Sequence, residues 1–195
     1  MIREGLRGYR GYPGGFKAYV RAYSTVELSW WHRVGEKTTI SRLKALAPEG
    51  FRFSVHGHKH LTFQPGGEER RTLRRFLRRF ELFGKKRGAV RLEVPQGVEP
   101  PQLAKWLDLL QGLMEEVGPV AIAFQAEKAL HSPIKDRGFA LVNQVEGPFL
   151  YLVDPEEVPQ EGEGYLYWSP TSSQAGPSRL HLGSEVGRDR SAPEG

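Results

Sequence analysis

Four segments of this 195-residue chain alternate between apolar and polar residues, and that pattern constrains the fold more than any motif does. In "TVEL", Val26 and Leu28 oppose Thr25 and Glu27. In "FRFSVH", Phe51, Phe53 and Val55 oppose Arg52, Ser54 and His56. In "AVRLEV", Val90, Leu92 and Val94 oppose Arg91 and Glu93. In "VAIAFQ", Val120, Ile122 and Phe124 oppose Ala121, Ala123 and Gln125. Successive side chains of a strand point to opposite faces, so each segment is a strand with one apolar face. Parallel strands covered on both faces read as continuous apolar runs instead. Helical patterns separate the segments, which makes the chain α/β. Helices outside and a polar interior describe a small closed sheet, so we expect a compact, partly irregular TIM-like (β/α) barrel.

Strands are expected at Ile2–Leu6, Thr25–Leu28, Phe51–His56, Ala89–Val94, Val120–Phe124, Phe139–Asn143, Phe149–Val153 and Tyr165–Trp168. Thr39 is placed to cap a helix through Leu46, stopped by Pro48 and Gly50. Glu68 and Glu69 open a helix that ends near Gly84. Leu103, Trp106, Leu107, Leu110, Leu113 and Val117 form the apolar stripe of another, ended by Gly118. The second half is less regular. Only Gln144–Pro148 separates the sixth and seventh strands, too little for a parallel crossover, so either they form a hairpin or one lies outside the barrel. Residues 1–168 read as one barrel domain, and 169–195 as a Ser/Gly/Pro-rich, poorly packed tail.

Composition limits the chemistry. Hydrophobic residues at 38% and charged residues at 26% suit a soluble globular chain. No apolar run approaches the ~20 residues of a membrane span, and no apolar leader follows Met1, so a cytoplasmic protein is expected. There are no cysteines, which excludes disulfides, thiol catalysis and thiolate metal sites. We find no phosphate-loop lysine motif, no dinucleotide G-x-G-x-x-G and no G-x-S-x-G elbow, so no cofactor is expected.

Several stretches resemble a known family. "YSTVELSWW" at Tyr23–Trp31 is similar to the "F-x-T-V-E-I-N-S-T-F-Y" of the YecE-like family, widespread uncharacterised proteins with a TIM-barrel fold. "APEGFRFSVHGHKHLTF" at Ala47–Phe63 resembles its "T-P-x-x-F-x-F-A-V-K-x-x-x-x-I-T-H". "RLEVP" at Arg91–Pro95 stands where the family has "F-Q-L-P". The resemblance spans roughly residues 1–125 and implies the barrel, but no agreed activity. This chain departs from the family inside the barrel. Ser29 replaces an Asn, His56 a Lys, Phe63 a His and Glu93 a Gln, and Ala123-Phe124-Gln125 stands for "E-F-R". In the loop after strand one, Leu6-Arg7-Gly8-Tyr9 replaces "S-G-W".

The candidate site residues follow from these placements. His56, His58 and His60 recur at every second position. Three imidazoles suit a transition metal. We prefer a hydrogen-bonded His56 inside the barrel with two solvated neighbours, and expect no metal, since no other metal spacing accompanies them. Glu27 and Glu93 should face inward near the strand C-termini, where barrel sites form, with Arg91 able to neutralise either. Glu27 or Glu93 would act as general base, and His56 as proton donor or ligand orienter. His32, Arg91 and Gln125 would line the ligand pocket. Trp30 and Trp31 offer either a stacking wall or plain loop packing. The Gly-rich loop Arg7–Gly15 could face an anion. The expected ligand is a small polar molecule or an anion.

A second feature stands apart. Between Glu68 and Arg87 the net charge is +6, against +5 for the whole chain. Arg70, Arg74 and Arg78 make one row of a helix, and Arg71, Arg75 and Arg79 another. Such rows call for an acidic partner. Inside the molecule, Glu115 and Glu116 could serve; outside it, nucleic acid or another polyanion. A solvated face with ion-pair networks, as in thermophile-like proteins, is the plainer reading.

Overall fold

A computed structural model of the chain describes residues 1–175. Eight strands form one parallel sheet: β1 (Ile2–Leu6), β2 (Thr25–Ser29), β3 (Arg52–Gly57), β4 (Arg87–Glu93), β5 (Ile122–Gln125), β6 (Ala140–Leu141), β7 (Leu150–Val153) and β8 (Gly164–Trp168). Their order, β6-β5-β4-β3-β2-β1-β8-β7, winds the sheet into a barrel that lacks only β6–β7 pairing to close. Helices α1 (Gly15–Ala22), α2 (Lys37–Leu46), α3 (Gly67–Glu81), α4 (Pro100–Val117) and α5 (His131–Asp136) accompany the strands.

The alternating pattern does what its period requires. Val26, Phe53, Val55, Val90, Leu92, Ile122 and Phe124 point outward into one core shared with the helices. Leu73, Phe76, Leu77 and Phe80 of α3 and the Leu103–Val117 stripe of α4 complete that core. Inside the barrel Ala89, Ala123, Ala140, Tyr151 and Tyr167 form a second, smaller cluster. Between these stand buried Thr25, Glu27, Ser54 and Arg91. Small alanines on β4, β5 and β6 leave room for the tyrosines of β7 and β8. The Tyr167 hydroxyl binds Ser54 Oγ at 2.6 Å and Thr25 Oγ1 at 2.7 Å, tying β8 to β2 and β3 across the interior.

The seam between β6 and β7 corrects the sequence expectation. There is no hairpin, and both strands belong to the parallel barrel. An eight-residue return suffices because β6 is only two residues long. Fully extended, such a return reaches about 26–29 Å. Asn143 then stands in for missing strand. Its backbone is left-handed at φ 59°, a conformation Asn tolerates better than most residues. Its N–H donates to Tyr151 O at 2.9 Å. Its side-chain amide accepts from Val153 N–H at 2.8 Å and donates to Val153 O at 3.0 Å.

Two smaller expectations shift. Helix α2 begins at Lys37 rather than after Thr39, because Ile40 N–H already reaches Glu36 O at 3.0 Å. Of the expected tail, Ser169–Ala175 runs through turns anchored by Ser169 N–H on Asp154 Oδ1 at 2.6 Å. The rest of that expectation lies outside the described residues.

Candidate functional site

The C-terminal ends of β2, β3, β4 and β5 bring Glu27, His56, Arg91, Glu93 and Gln125 together. Register explains it. His56 pairs with Arg91 across β3–β4, and Glu93 with Gln125 across β4–β5, so these side chains share the inner face. Arg91 is the hub, at only 2% exposure. Its Nε and Nη2 donate to the two oxygens of Glu27 at 2.9 and 2.7 Å, a planar bidentate fork. Its Nη1 donates to Gln125 Oε1 at 2.9 Å and more distantly to Glu93 Oε1 at 3.4 Å. Burial works against the guanidinium charge, but hydrogen bonds and charge from Glu27 outweigh it and hold the arginine above its ordinary pKa.

Glu27 is fully engaged. Beyond the Arg91 fork, its Oε2 accepts the Tyr151 hydroxyl, and Arg7 Nε lies 3.7 Å from Oε1. Burial and then the Glu27 charge push the Tyr151 phenol well above its usual pKa, so it stays a proton donor to that carboxylate.

Above this base sits a half-open pair. His56 Nε2 lies 2.8 Å from Glu93 Oε1. His56 is 13% exposed and Glu93 36%. Burial, then the Arg91 charge, lower the His56 pKa, with Glu27 and Glu93 opposing, so the ring is neutral at pH 7. A neutral ring facing a carboxylate donates through Nε2–H, which leaves the lone pair on Nδ1. The Trp31 ring stacks on His56 at 5.3 Å and 22°, fixing its plane. Arg7 reaches the same end of the barrel and pairs with Asp154 at 3.3 Å.

Some expected residues play other parts. His32 does not join the mouth. Trp31 turns onto His56, and the next residue points away to a surface cavity beside α3, shared with His58 and His60. Trp30 is no stacking wall for a ligand, being 3% exposed and packed edge-on to Phe76 at 5.5 Å. Arg91, expected to line the pocket, is buried and hydrogen-bonds to Glu93 and Gln125. In the Gly-rich loop, Arg7 is drawn to Asp154 and Glu27 rather than left for an anion. Among the described residues, no three His, Asp or Glu side chains converge as a metal would need.

Sequence reasoning missed Tyr151, Asp154 and the placement of Arg7. A signal for Tyr151 existed. In "LYLV" and "YLYW", Leu150, Leu152, Leu166 and Trp168 belong to the outer core, so the intervening tyrosines face inward. The same alternation used on the first strands applied here, but the short connections obscured it.

The basic helix resolves into two parts. Arg70, Arg74 and Arg78 gather round Glu116 of α4, at 3.4, 2.9 and 3.6 Å. That is the internal partner the charge rows called for. Arg79 donates to the Gly35 carbonyl. Arg71 and Arg75 form no ion pair among the described residues.

Fold and site together define an eight-stranded parallel α/β barrel with a charged interior, whose C-terminal end presents a histidine–glutamate pair over a buried arginine. The family model described as "Protein of unknown function DUF72" matches residues 9–187, and the chain belongs to that family. Two crystal structures of a DUF72 family protein from Enterococcus faecalis V583 share the fold. One is 17% identical with a TM-score of 0.61, covering 82% of this chain and 65% of its own. The other is 19% identical with a TM-score of 0.57, covering 83% and 66%. This chain therefore spans just under two thirds of the length of those relatives. No curated protein matches the chain. No helix of the described residues is long and apolar enough to cross a membrane.

Proposed function

We propose that the barrel mouth binds a small polar molecule over His56, Glu93 and Gln125, within a YecE-like branch of the family. The reading rests on one observation: a histidine held at 2.8 Å by a partly exposed carboxylate at the strand C-termini, where barrels of this kind place their sites. Among the described residues, Glu93 Oε2 makes no hydrogen bond, and the Gln125 carboxamide spends only its oxygen, on Arg91. The mouth thus offers an acceptor at His56 Nδ1, an acceptor at Glu93 Oε2 and a donor at Gln125 Nε2. Three carboxylates (Glu27, Glu93, Asp154) meet two guanidiniums (Arg7, Arg91), so the charge balance favours a hydroxyl- or amine-bearing ligand over an anion. If chemistry occurs, His56 Nδ1 takes the proton and Glu93 orients the ring and stabilises its charged form. Glu27 is then a positioning residue that holds Arg91.

A thermal-shift screen of polyols, sugars and amino sugars tests this. We expect compounds that stabilise the wild type and lose that effect in both His56→Asn and Glu93→Gln. Compounds that stabilise all three alike would place binding elsewhere and end the proposal.

A further inference from the structure

We infer that the cavity between the β2–α2 loop, the β3–α3 loop and α3 is an oxyanion site, built for the dianionic phosphate of a small phosphomonoester. It stands apart from the mouth and does not depend on that reading. The cavity has a volume of about 330 Å³ and is lined by His32, Arg33, His58, His60, Arg71 and Arg75, along with Val34, Thr72 and Phe76. No carboxylate lines it among the described residues. Of the lining arginines, Arg33 alone has an ion pair among the described residues, with Glu36 at 3.9 Å, too far for a good hydrogen bond.

The local structure brings donor-bearing side chains to the cavity wall. Gly57 ends β3 against α3, where an added Cβ would lie 2.4 Å from Phe76 Cε2. That close approach brings His58 edge-on to Phe76 at 5.8 Å, beside the arginine row of the same helix. His58 Nδ1 accepts the His60 N–H at 3.0 Å. The proton of His58 therefore sits on Nε2, a fixed neutral donor. Burial, then His60, Arg75 and Lys59, lower its pKa, in keeping with that assignment. The His60 ring lies 5.1 Å from the His58 ring.

The charge comes from the arginines. Arg70, Arg74 and Arg78 are occupied by Glu116, whereas Arg71 and Arg75, one helical turn apart, have no ion partner among the described residues. Two unpaired like charges on one helix face cost stability unless an anion joins them. Planar guanidinium forks match the geometry of phosphate oxygens. The arrangement favours a phosphomonoester over nucleic acid. Its free cations converge on one compact cavity, while a backbone of successive phosphodiesters needs a track, and the neighbouring arginine row is already gathered round Glu116.

Isothermal titration of the full chain with inorganic phosphate, and with sulfate as a second tetrahedral dianion, is the test. Saturable one-site binding is expected, weakened about tenfold or more by Arg71→Gln and by Arg75→Gln, as losing a charge-assisted hydrogen bond implies. Both residues are exposed, so the variants should fold, and circular dichroism checks that. His58→Phe should weaken binding as well, while His56→Asn should leave it unchanged. Binding of glycerol phosphate at least as tight as phosphate would support the monoester. The inference is overturned by any of three results: no phosphate binding, binding indifferent to Arg71 and Arg75, or binding of a single-stranded oligonucleotide with no binding of phosphate.

Discussion

Replacing Arg91 should cost more stability than almost any other single substitution, and the cost should vanish when Glu27 is replaced with it. Arg91 and Glu27 are 2% and 3% exposed, joined by two hydrogen bonds. Changing Arg91 to Met strands a buried carboxylate with only the Tyr151 hydroxyl and a distant Arg7. Breaking a buried pair in this way costs about 3–5 kcal/mol. For a chain of this size that is a fall of about 6–20 °C in melting temperature. Changing Glu27 to Leu should cost somewhat less, because Arg91 keeps Gln125 and Glu93 as acceptors. The double variant leaves no buried charge in the pair and replaces it with apolar bulk, which is often neutral or better. Urea unfolding of the four proteins at pH 7.5 gives the coupling directly. The expected result is a double variant within about 2 kcal/mol of wild type, against additive losses of about 6 kcal/mol or more. Losses that add, or single variants costing less than about 1 kcal/mol, would show that the interior is wetter and the pair weaker than its geometry implies.

Three further outcomes follow from particular residues. The folded-state pKa of His56 lies below the unfolded value of about 6.5. The unfolded chain then binds protons first, so stability is complete above about pH 6.5 and is lost as pH falls from there towards the folded value. His58 acts in the same direction. The urea midpoint of the wild type should drop between pH 8 and pH 5, and drop less in His56→Asn; an equal drop in both would contradict the assignment. Asn143→Ala should cost about 1–3 kcal/mol by unpairing the Val153 backbone groups, and should speed amide exchange at Val153 more than in β3 or β4. Unchanged exchange would mean the seam is held by something else. Gly57→Ala drives a methyl into Phe76 and should cost about 1–3 kcal/mol of overpacking, read by thermal unfolding. A neutral result would show that α3 can retreat freely from the barrel.

The alternation of "TVEL", "FRFSVH", "AVRLEV" and "VAIAFQ" told by itself which residues face in and which face out. Period two is a local property of the backbone, so it needs no knowledge of neighbours. It placed Glu27, His56, Arg91, Glu93 and Gln125 on the inner wall, and Phe53, Val90 and Leu92 on the outer one, as the structure has them. The stripe of α4 and the stop at Gly118 were equally local. Long-range partnership was not. Glu27 and Tyr151 are 124 residues apart, and nothing in either segment names the other. Which carboxylate Arg91 takes, and that Glu93 instead turns to His56, depends on strand stagger round the barrel. His32 leaves the mouth because Trp31 takes the place over His56, a matter of packing in three dimensions. The arginine rows were visible on paper. Only helix packing decided that one row would meet Glu116 on α4 while Arg71 and Arg75 would face a cavity of histidines, since neighbouring rows of one helix look in different directions and sequence does not say what stands there.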